Sequence, residues 1–235
     1  MDSLMDLQVA RARFLATVLH ELKTPLSCIK LGLMLLKDSR NGMMNSQQKE
    51  LASYVNEASE RLFKIVNELL DCTQVETGCI GLHPVAASPA AIVRYAIDSV
   101  KILAAQKEVE LQVIVPIGLS EVWADVEKTG WVLVNFLSNA LRYSGESSTI
   151  IIAVAEKNGK VIFSVQDFGK GIDLQYQKCL FERYFRVPAD GDNDGGSGLG
   201  LAISKEIIEA QDGEIWVESG LGKGSIFSFS LNRNI

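Results

Sequence analysis

The sequence predicts two architectures in series. Residues 1–78 read as an all-α helical hairpin that pairs into a dimeric four-helix bundle. Residues 79–235 read as an α+β sandwich, a mixed sheet with helices on one face. Three observations carry this. Residues 1–78 hold a single proline, Pro25, and two apolar series at heptad-like spacing. After residue 79, short strand-like runs come in consecutive pairs with helical stretches between them. A short linker or first strand at 79–88 separates the two patterns, with Gly78 placed to cap the last helix of the first.

The first apolar series is Leu15, Val18, Leu22, Leu26, Ile29, Leu33 and Leu36, with steps of 3, 4, 4, 3, 4, 3. A polar stretch, Arg40 to Ser46, follows. The second series is Leu51, Val55, Ala58, Leu62, Ile65, Leu69 and Cys72, with steps of 4, 3, 4, 3, 4, 3. Two amphipathic helices cannot enclose a core alone, and two hairpins together bury every seam. A homodimer is therefore expected. The alternative is a hairpin that packs on the second half of its own chain.

In the second half, Ser88 followed by Pro89 opens a helix to about Ala105, serine capping and proline at the first helical position. Leu111 to Val115 reads as a strand. Asp125 caps a helix that runs to about Tyr143. Two strands, Thr149–Ala155 and Val161–Asp167, flank the turn at Lys157, Asn158 and Gly159. A helix follows Gly200 to about Gln211, and Glu214–Glu218 with Ser225–Leu231 form a last strand pair.

The chain has 235 residues, 47% hydrophobic and 22% charged, an ordinary globular profile. Its net charge of −6 argues against a nucleic-acid partner, which needs a basic surface. The densest apolar stretch, Leu31 to Leu36, is far too short to cross a bilayer. Four cysteines, with no CxxC pair, read as reduced thiols in a cytoplasmic protein rather than a disulfide frame or a zinc site. With no sensor segment in view, the chain is expected to be part of something longer. Any membrane attachment would run through segments absent from it.

His20 stands two residues from both Val18 and Leu22. At ~100° per residue it points some 160–200° away from the seam, toward solvent. A lone exposed histidine is usually plain surface, but its neighbours carry chemistry. Glu21 offers a carboxylate for the Nδ1 proton, which leaves Nε2 as a nucleophile. Thr24 lies at i+4 from His20 on one face. Pro25 removes the backbone bond to the carbonyl of Glu21 and kinks the helix.

Positions 14–26, FLATVLHELKTPL, resemble the phospho-acceptor motif of sensor histidine kinases of two-component signalling. Positions 135–144, NFLSNALRYS, resemble that family's N motif, and 167–172, DFGKGI, its first glycine motif. FERYFR at 181–186 looks like its F motif. GSGLGLAI at 196–203 and GKGS at 222–225 are similar to the second and third glycine motifs. One glycine-rich string would be weak evidence, whereas this many motifs in the family's order is highly specific.

The resemblance implies a phosphotransfer domain followed by a Bergerat-type ATP-binding domain, with ATP and Mg²⁺ as cofactors. It implies that His20 is phosphorylated and passes the phosphoryl group to an aspartate of a response-regulator receiver domain. That partner would dock near Leu19, Lys23, Cys28 and the second helix. Asn139 would be the metal ligand, its amide oxygen being a suitable Mg²⁺ donor beside phosphates. Asn135 sits one turn earlier on the same face. Arg142 would add charge to the phosphates and Tyr143 would pack on the nucleotide. Asp167 would take the adenine amino group, with Gly169 and Gly171 admitting the ring. Gly198, Leu199 and Gly200, before a helix, would hold phosphate on their amides, and Arg186 would assist. Residues 186–198, acidic at Asp190, Asp192 and Asp194, would form a lid over ATP, anchored by Phe181, Tyr184 and Phe185. Arg183 is a further candidate for phosphate contact. The run Glu21 to Thr24 matches the pattern with which many members also dephosphorylate their regulator. Phe168 stands where Asn is frequent and Arg142 where Lys is common, and neither removes a chemical requirement.

Two rival readings remain at this point. One is a gyrase- or Hsp90-like ATPase, but those families carry a glutamate one turn before the metal-binding Asn, where this chain has Asn135, which cannot serve as a base. The other is a nucleotide-binding scaffold without kinase activity.

Overall fold

The computed structural model describes residues 22, 25–29, 31–36, 42–56, 58–59, 62, 81–188 and 198–234. The chain divides into two units, Met1–Ile80 and Gly81–Ile235.

In the first unit the described residues at 25–29, 31–36, 46–56 and 58–59 are helical. A reciprocal capping box starts the second helical run. The Gln48 N–H donates to Asn45 Oδ1 (2.8 Å), and the Asn45 N–H donates to Gln48 Oε1 (2.9 Å). Among the described residues of this unit few side chains are buried. Leu26 and Leu33 are 4% and 6% exposed, and Ala52 and Ser59 are buried on the second run. The predicted second seam differs from this line by one residue. Leu51, Val55, Ala58 and Leu62 are all exposed, as are Leu22, Ile29 and Leu36 of the first seam. The described residues of this unit thus leave much of their apolar surface exposed.

In the second unit, helix α1 (Pro89–Gln106) begins where predicted, with Pro89 in its first turn. The Ser88 side chain makes no capping bond, and its carbonyl alone accepts from Ala91 N–H (3.0 Å). Strands β1 (Val85–Ala87) and β3 (Val122–Ala124) pair antiparallel as a separate two-stranded sheet. Asp125 starts α2 (Val126–Tyr143). Its Oδ1 accepts from the Lys128 N–H and its Oδ2 from the His83 N–H, both at 2.9 Å. One carboxylate thus caps the helix and ties it to the segment entering the unit.

The main sheet has the order β2-β4-β5-β7-β6, formed by β2 (Glu110–Ile114), β4 (Thr149–Lys157), β5 (Lys160–Asp167), β6 (Glu214–Gly220) and β7 (Gly224–Asn232). β2 runs parallel to β4 and every other pairing is antiparallel, so the sheet is mixed. Asn158 and Gly159 turn β4 into β5 with φ of 53° and 76°, the left-handed pair that a two-residue hairpin demands.

Alternation sets the layers. Ile150, Ile152, Val154, Val161, Phe163, Val165, Phe227, Phe229 and Leu231 are buried on one face of the sheet. Against them lie Val132, Leu133, Phe136 and Leu137 of α2, and Ile203, Ile207 and Ile208 of α4 (Gly200–Glu209). The Phe136 ring centroid lies 5.4 Å from Phe227 and 6.1 Å from Phe229, and Phe163 stacks on Phe229 at 4.8 Å. These contacts close the α+β sandwich predicted for the second half. β3 and the four-residue helix α3 (Leu174–Gln177) fall outside the predicted elements, being too short to show a period.

A candidate nucleotide site on the second unit

The site is built by the end of β5, the last turns of α2, and the start of α4. Asp167 ends β5 and is 4% exposed. Its Oδ1 accepts from the Gly169 N–H at 2.8 Å. Burial pushes the Asp167 carboxyl pKa up, while hydrogen bonds from Gly169 and Ser225 pull it down. A buried carboxylate held by backbone and a serine is stiff, and its remaining acceptor capacity suits an amino donor.

The glycines after Asp167 also answer a packing need within the unit. A Cβ on Gly169 would strike the carbonyl of Tyr143, and one on Gly171 (φ 68°) would strike the carbonyl of Gly220. Gly222 N–H donates to the Lys170 carbonyl at 2.8 Å. The first glycine motif is thus seated on the β6–β7 turn, which gives the third glycine motif its role. Ser219 fastens this junction. Its Oγ accepts from the Ile172 N–H and donates to the Gly224 carbonyl, both at 2.8 Å. Gln177 Nε2 reaches the carbonyls of Ile172 (3.0 Å) and Ser219 (2.8 Å). Neither Ser219 nor Gln177 carried a motif signal. Replacing Gly171 with alanine is expected to cost about 3 kcal/mol, because left-handed strain adds to a collision with backbone that cannot yield. Urea unfolding followed by tryptophan fluorescence checks this, since Trp123, Trp131 and Trp216 all lie in the second unit.

On α2, Asn139 is half-buried and its amide makes no hydrogen bond to another described residue. Arg142 is half-buried one turn on. The Tyr143 ring is exposed, with Lys170 Nζ 5.1 Å from its centroid. Asn135 is already engaged. Its Nδ2 donates to Ser204 Oγ at 2.9 Å, and a Cβ on Gly200 would lie 2.7 Å from its Oδ1. Gly200 is itself the first residue of α4, not a residue ahead of it.

Gly198 has φ 73°, and a Cβ there would meet the backbone of Tyr184 and Phe185 at 2.8–2.9 Å. Its carbonyl accepts from the Tyr184 N–H at 3.0 Å. The F motif therefore packs directly on the second glycine motif, and Phe185 also meets Tyr176 with centroids 6.2 Å apart. Arg183, a candidate for phosphate contact, pairs with Glu206 at 3.0 Å. Arg186 is exposed and Leu199 is buried. His20, Glu21 and Thr24 lie outside the described residues, as do Leu19, Lys23 and residues 189–197 of the predicted lid.

The donor set is compatible with one hard cation held chiefly by phosphate oxygens. Among the described residues no three His, Cys, Asp or Glu side chains gather into a metal cluster. Asn139 offers a spare amide oxygen near the end of α2, and Mg²⁺ commonly takes one or two protein ligands together with phosphates and water.

Residues 10–78 match the family model "His Kinase A (phospho-acceptor) domain", and residues 124–235 match "Histidine kinase-, DNA gyrase B-, and HSP90-like ATPase". The chain belongs to the sensor histidine kinases. The histidine kinase CikA of Thermosynechococcus vestitus, described as a circadian input-output kinase, is 33% identical over 221 residues, 93% of this chain and 30% of that protein. The sensor protein EvgS of Escherichia coli O157:H7 is 32% identical over 95% of this chain and 19% of its own length. This histidine kinase chain thus spans about a third or less of those relatives. Among solved structures, full-length ShkA in complex with AMPPNP matches with a TM-score of 0.77 at 25% identity, covering 94% of this chain and 46% of that one. The Acinetobacter baumannii histidine kinase AdeS shares the fold, with a TM-score of 0.63 at 21% identity over 92% of this chain and 98% of that one. No helix among the described residues is long and apolar enough to cross a membrane.

Proposed function

We propose that this chain is the catalytic core of a sensor kinase that moves the γ-phosphoryl group of ATP to His20 and then to an aspartate of a response-regulator receiver domain. One observation carries the reading. In the second unit Gly169, two residues after Asp167, packs on the Tyr143 carbonyl, and Gly200 packs on Asn135, one turn before Asn139, and this supports the reading in a chain whose residues 10–78 match the phospho-acceptor family.

Asp167 would read the adenine amino group, and Tyr143 would pack on the nucleotide. The backbone amides of Gly198, Leu199 and Gly200 at the start of α4 would hold phosphate, with Arg142 and Arg186 adding charge. Asn139 would hold Mg²⁺, whose contribution is to neutralise the charge of the triphosphate. Glu21 would take the Nδ1 proton of His20 and set the tautomer. The Nε2 lone pair then forms the new N–P bond as the P–O bond to ADP breaks. Positioning would supply most of the rate, since the loose transition state asks for little covalent help.

The first unit would act as a homodimer. Leu22, Ile29, Leu36, Leu51, Val55 and Leu62 are exposed along heptad-spaced lines in the single chain, with Ile29 at 45% and Val55 at 48%. A second hairpin would cover them as a four-helix bundle. The kinase would act in the cytoplasm, joined to any membrane through segments outside this chain.

Autophosphorylation separates this reading from the ATPase and the scaffold. Incubation with γ-labelled ATP should leave acid-labile, base-stable label on the protein. Release of free phosphate without retained label would mark an ATPase, and nucleotide binding without either would mark a scaffold.

Thr24 would serve regulator dephosphorylation. At i+4 from His20, its Cβ would lie ~5–6 Å away on the same helix face, close enough to orient water toward a docked phospho-aspartate. Thr24→Ala is therefore expected to lose regulator dephosphorylation, by about 10²-fold if the hydroxyl positions the water, while ATP-to-His20 transfer persists. Equal loss of both rates with the fold intact would assign Thr24 to the kink alone, through a bond to the His20 carbonyl.

A further inference from the structure

Helices α2 and α4 are fastened by buried polar bridges at two heights. Gln211, just beyond α4, accepts the Asp125 N–H through Oε1 (2.8 Å) and donates through Nε2 to the Ile207 carbonyl (2.9 Å). Ser204, in the middle of α4, meets Asn135 in the middle of α2. The two helices therefore run antiparallel. The first bridge sits at the start of α2, far from the candidate site. The second sits one turn from Asn139 and one turn from Gly200.

Ser204 is 0% exposed. Its Oγ donates to the Gly200 carbonyl at 2.8 Å, and the Asn135 Nδ2 donates to that same Oγ at 2.9 Å. The direction of this chain is forced. A carbonyl only accepts, so the hydroxyl proton goes to Gly200. The oxygen lone pair that remains must accept, so the amide nitrogen of Asn135 faces Ser204. Its oxygen then points past the Cα of Gly200, into the space a Cβ would fill. A single buried hydroxyl orients the Asn135 amide and holds the first turn of α4.

We propose that Ser204 is a positioning residue for the phosphate end of the nucleotide. It sets the register of the Gly198–Gly200 amides against Asn139 without touching the nucleotide. The proposal rests on the reading above, that these elements hold the phosphates of ATP. It predicts a defect confined to that end, because Asp167 ends β5 and is held by the Gly169 N–H and by Ser225, with no bond to α4.

The test uses the whole chain as wild type, Ser204→Ala and Gln211→Ala. Three quantities are measured: AMPPNP affinity with Mg²⁺ by calorimetry, adenosine affinity by NMR titration, and melting temperature. Ser204→Ala is expected to weaken AMPPNP binding about tenfold, the size of one lost buried hydrogen bond, with adenosine affinity within about twofold of wild type. Gln211→Ala removes the other bridge. It should lower the melting temperature and leave the ratio of the two affinities unchanged. An unchanged ratio in Ser204→Ala, or an equal change in Gln211→Ala, overturns the proposal and makes the bridge simple packing. Wild type that binds no AMPPNP at all overturns the nucleotide reading itself, a separate and recognisable result.

Discussion

Replacing His20 with alanine is expected to reduce stable phosphoryl incorporation from ATP to background, a loss of at least about 10³-fold, as when a nucleophile is deleted. Nucleotide affinity should stay within about twofold, because His20 lies in the first unit and the candidate nucleotide site in the second. Dimerisation should persist, since the helical spacing directs position 20 away from the apolar seam. The measurement is retained radiolabel after alkaline treatment, with AMPPNP calorimetry and sedimentation on the same preparations. His83 is the only other histidine. It lies at the start of the second unit, where its backbone N–H is bound to Asp125 Oδ2. Stable label surviving in the variant would move the nucleophile away from position 20, and His83 would be the first residue to test.

Asn139 is the second position where a large effect is expected. Alanine removes the amide oxygen proposed to hold Mg²⁺. The autophosphorylation rate should fall about 10²-fold, the scale of losing one preorganised electrostatic contact in an active site. Aspartate keeps an oxygen but adds a negative charge beside the triphosphate. At ~4 Å and an effective dielectric near 20, like charges repel by about 4 kcal/mol, so Asn139→Asp should be no better than alanine. Rates are to be followed across a Mg²⁺ titration. Either variant matching wild type at low Mg²⁺ would remove Asn139 from the metal role. Since Asn139 is only half-buried and its side-chain amide makes no hydrogen bond to another described residue, both variants should melt close to wild type.

Much of the second unit was legible because its signals are local. Asp125 reads as a cap from its place before an apolar-periodic run, and its carboxylate does accept from Lys128. The turn reads from Lys157, Asn158 and Gly159, and the structure narrows it to Asn158 and Gly159, which take the two left-handed φ values while Lys157 stays in β4. Period-two alternation through Val161, Phe163 and Val165 identifies the face that meets the helices. The three-residue strand β3 escaped, because no period can be counted over three positions. Ser88 was read as a side-chain cap, yet only its backbone carbonyl serves the helix.

The order of motifs along the chain was enough to mark the family and the residue types its chemistry needs: an imidazole beside a carboxylate, an amide on a helix, a carboxylate at a strand end. These are properties of side chains and their spacing, and they survive without any long-range contact. What each glycine and each amide does depends on which distant backbone folds against it. Gly171 meets Gly220, Gly198 meets Tyr184 and Phe185, and Gly200 makes room for Asn135. Asn135 and Ser204 are 69 residues apart and share a hydrogen bond that no spacing rule announces. Such pairings arise only when the sheet and α2 and α4 pack together, because the sequence separation between two contacting groups carries no information about the distance that packing brings them to.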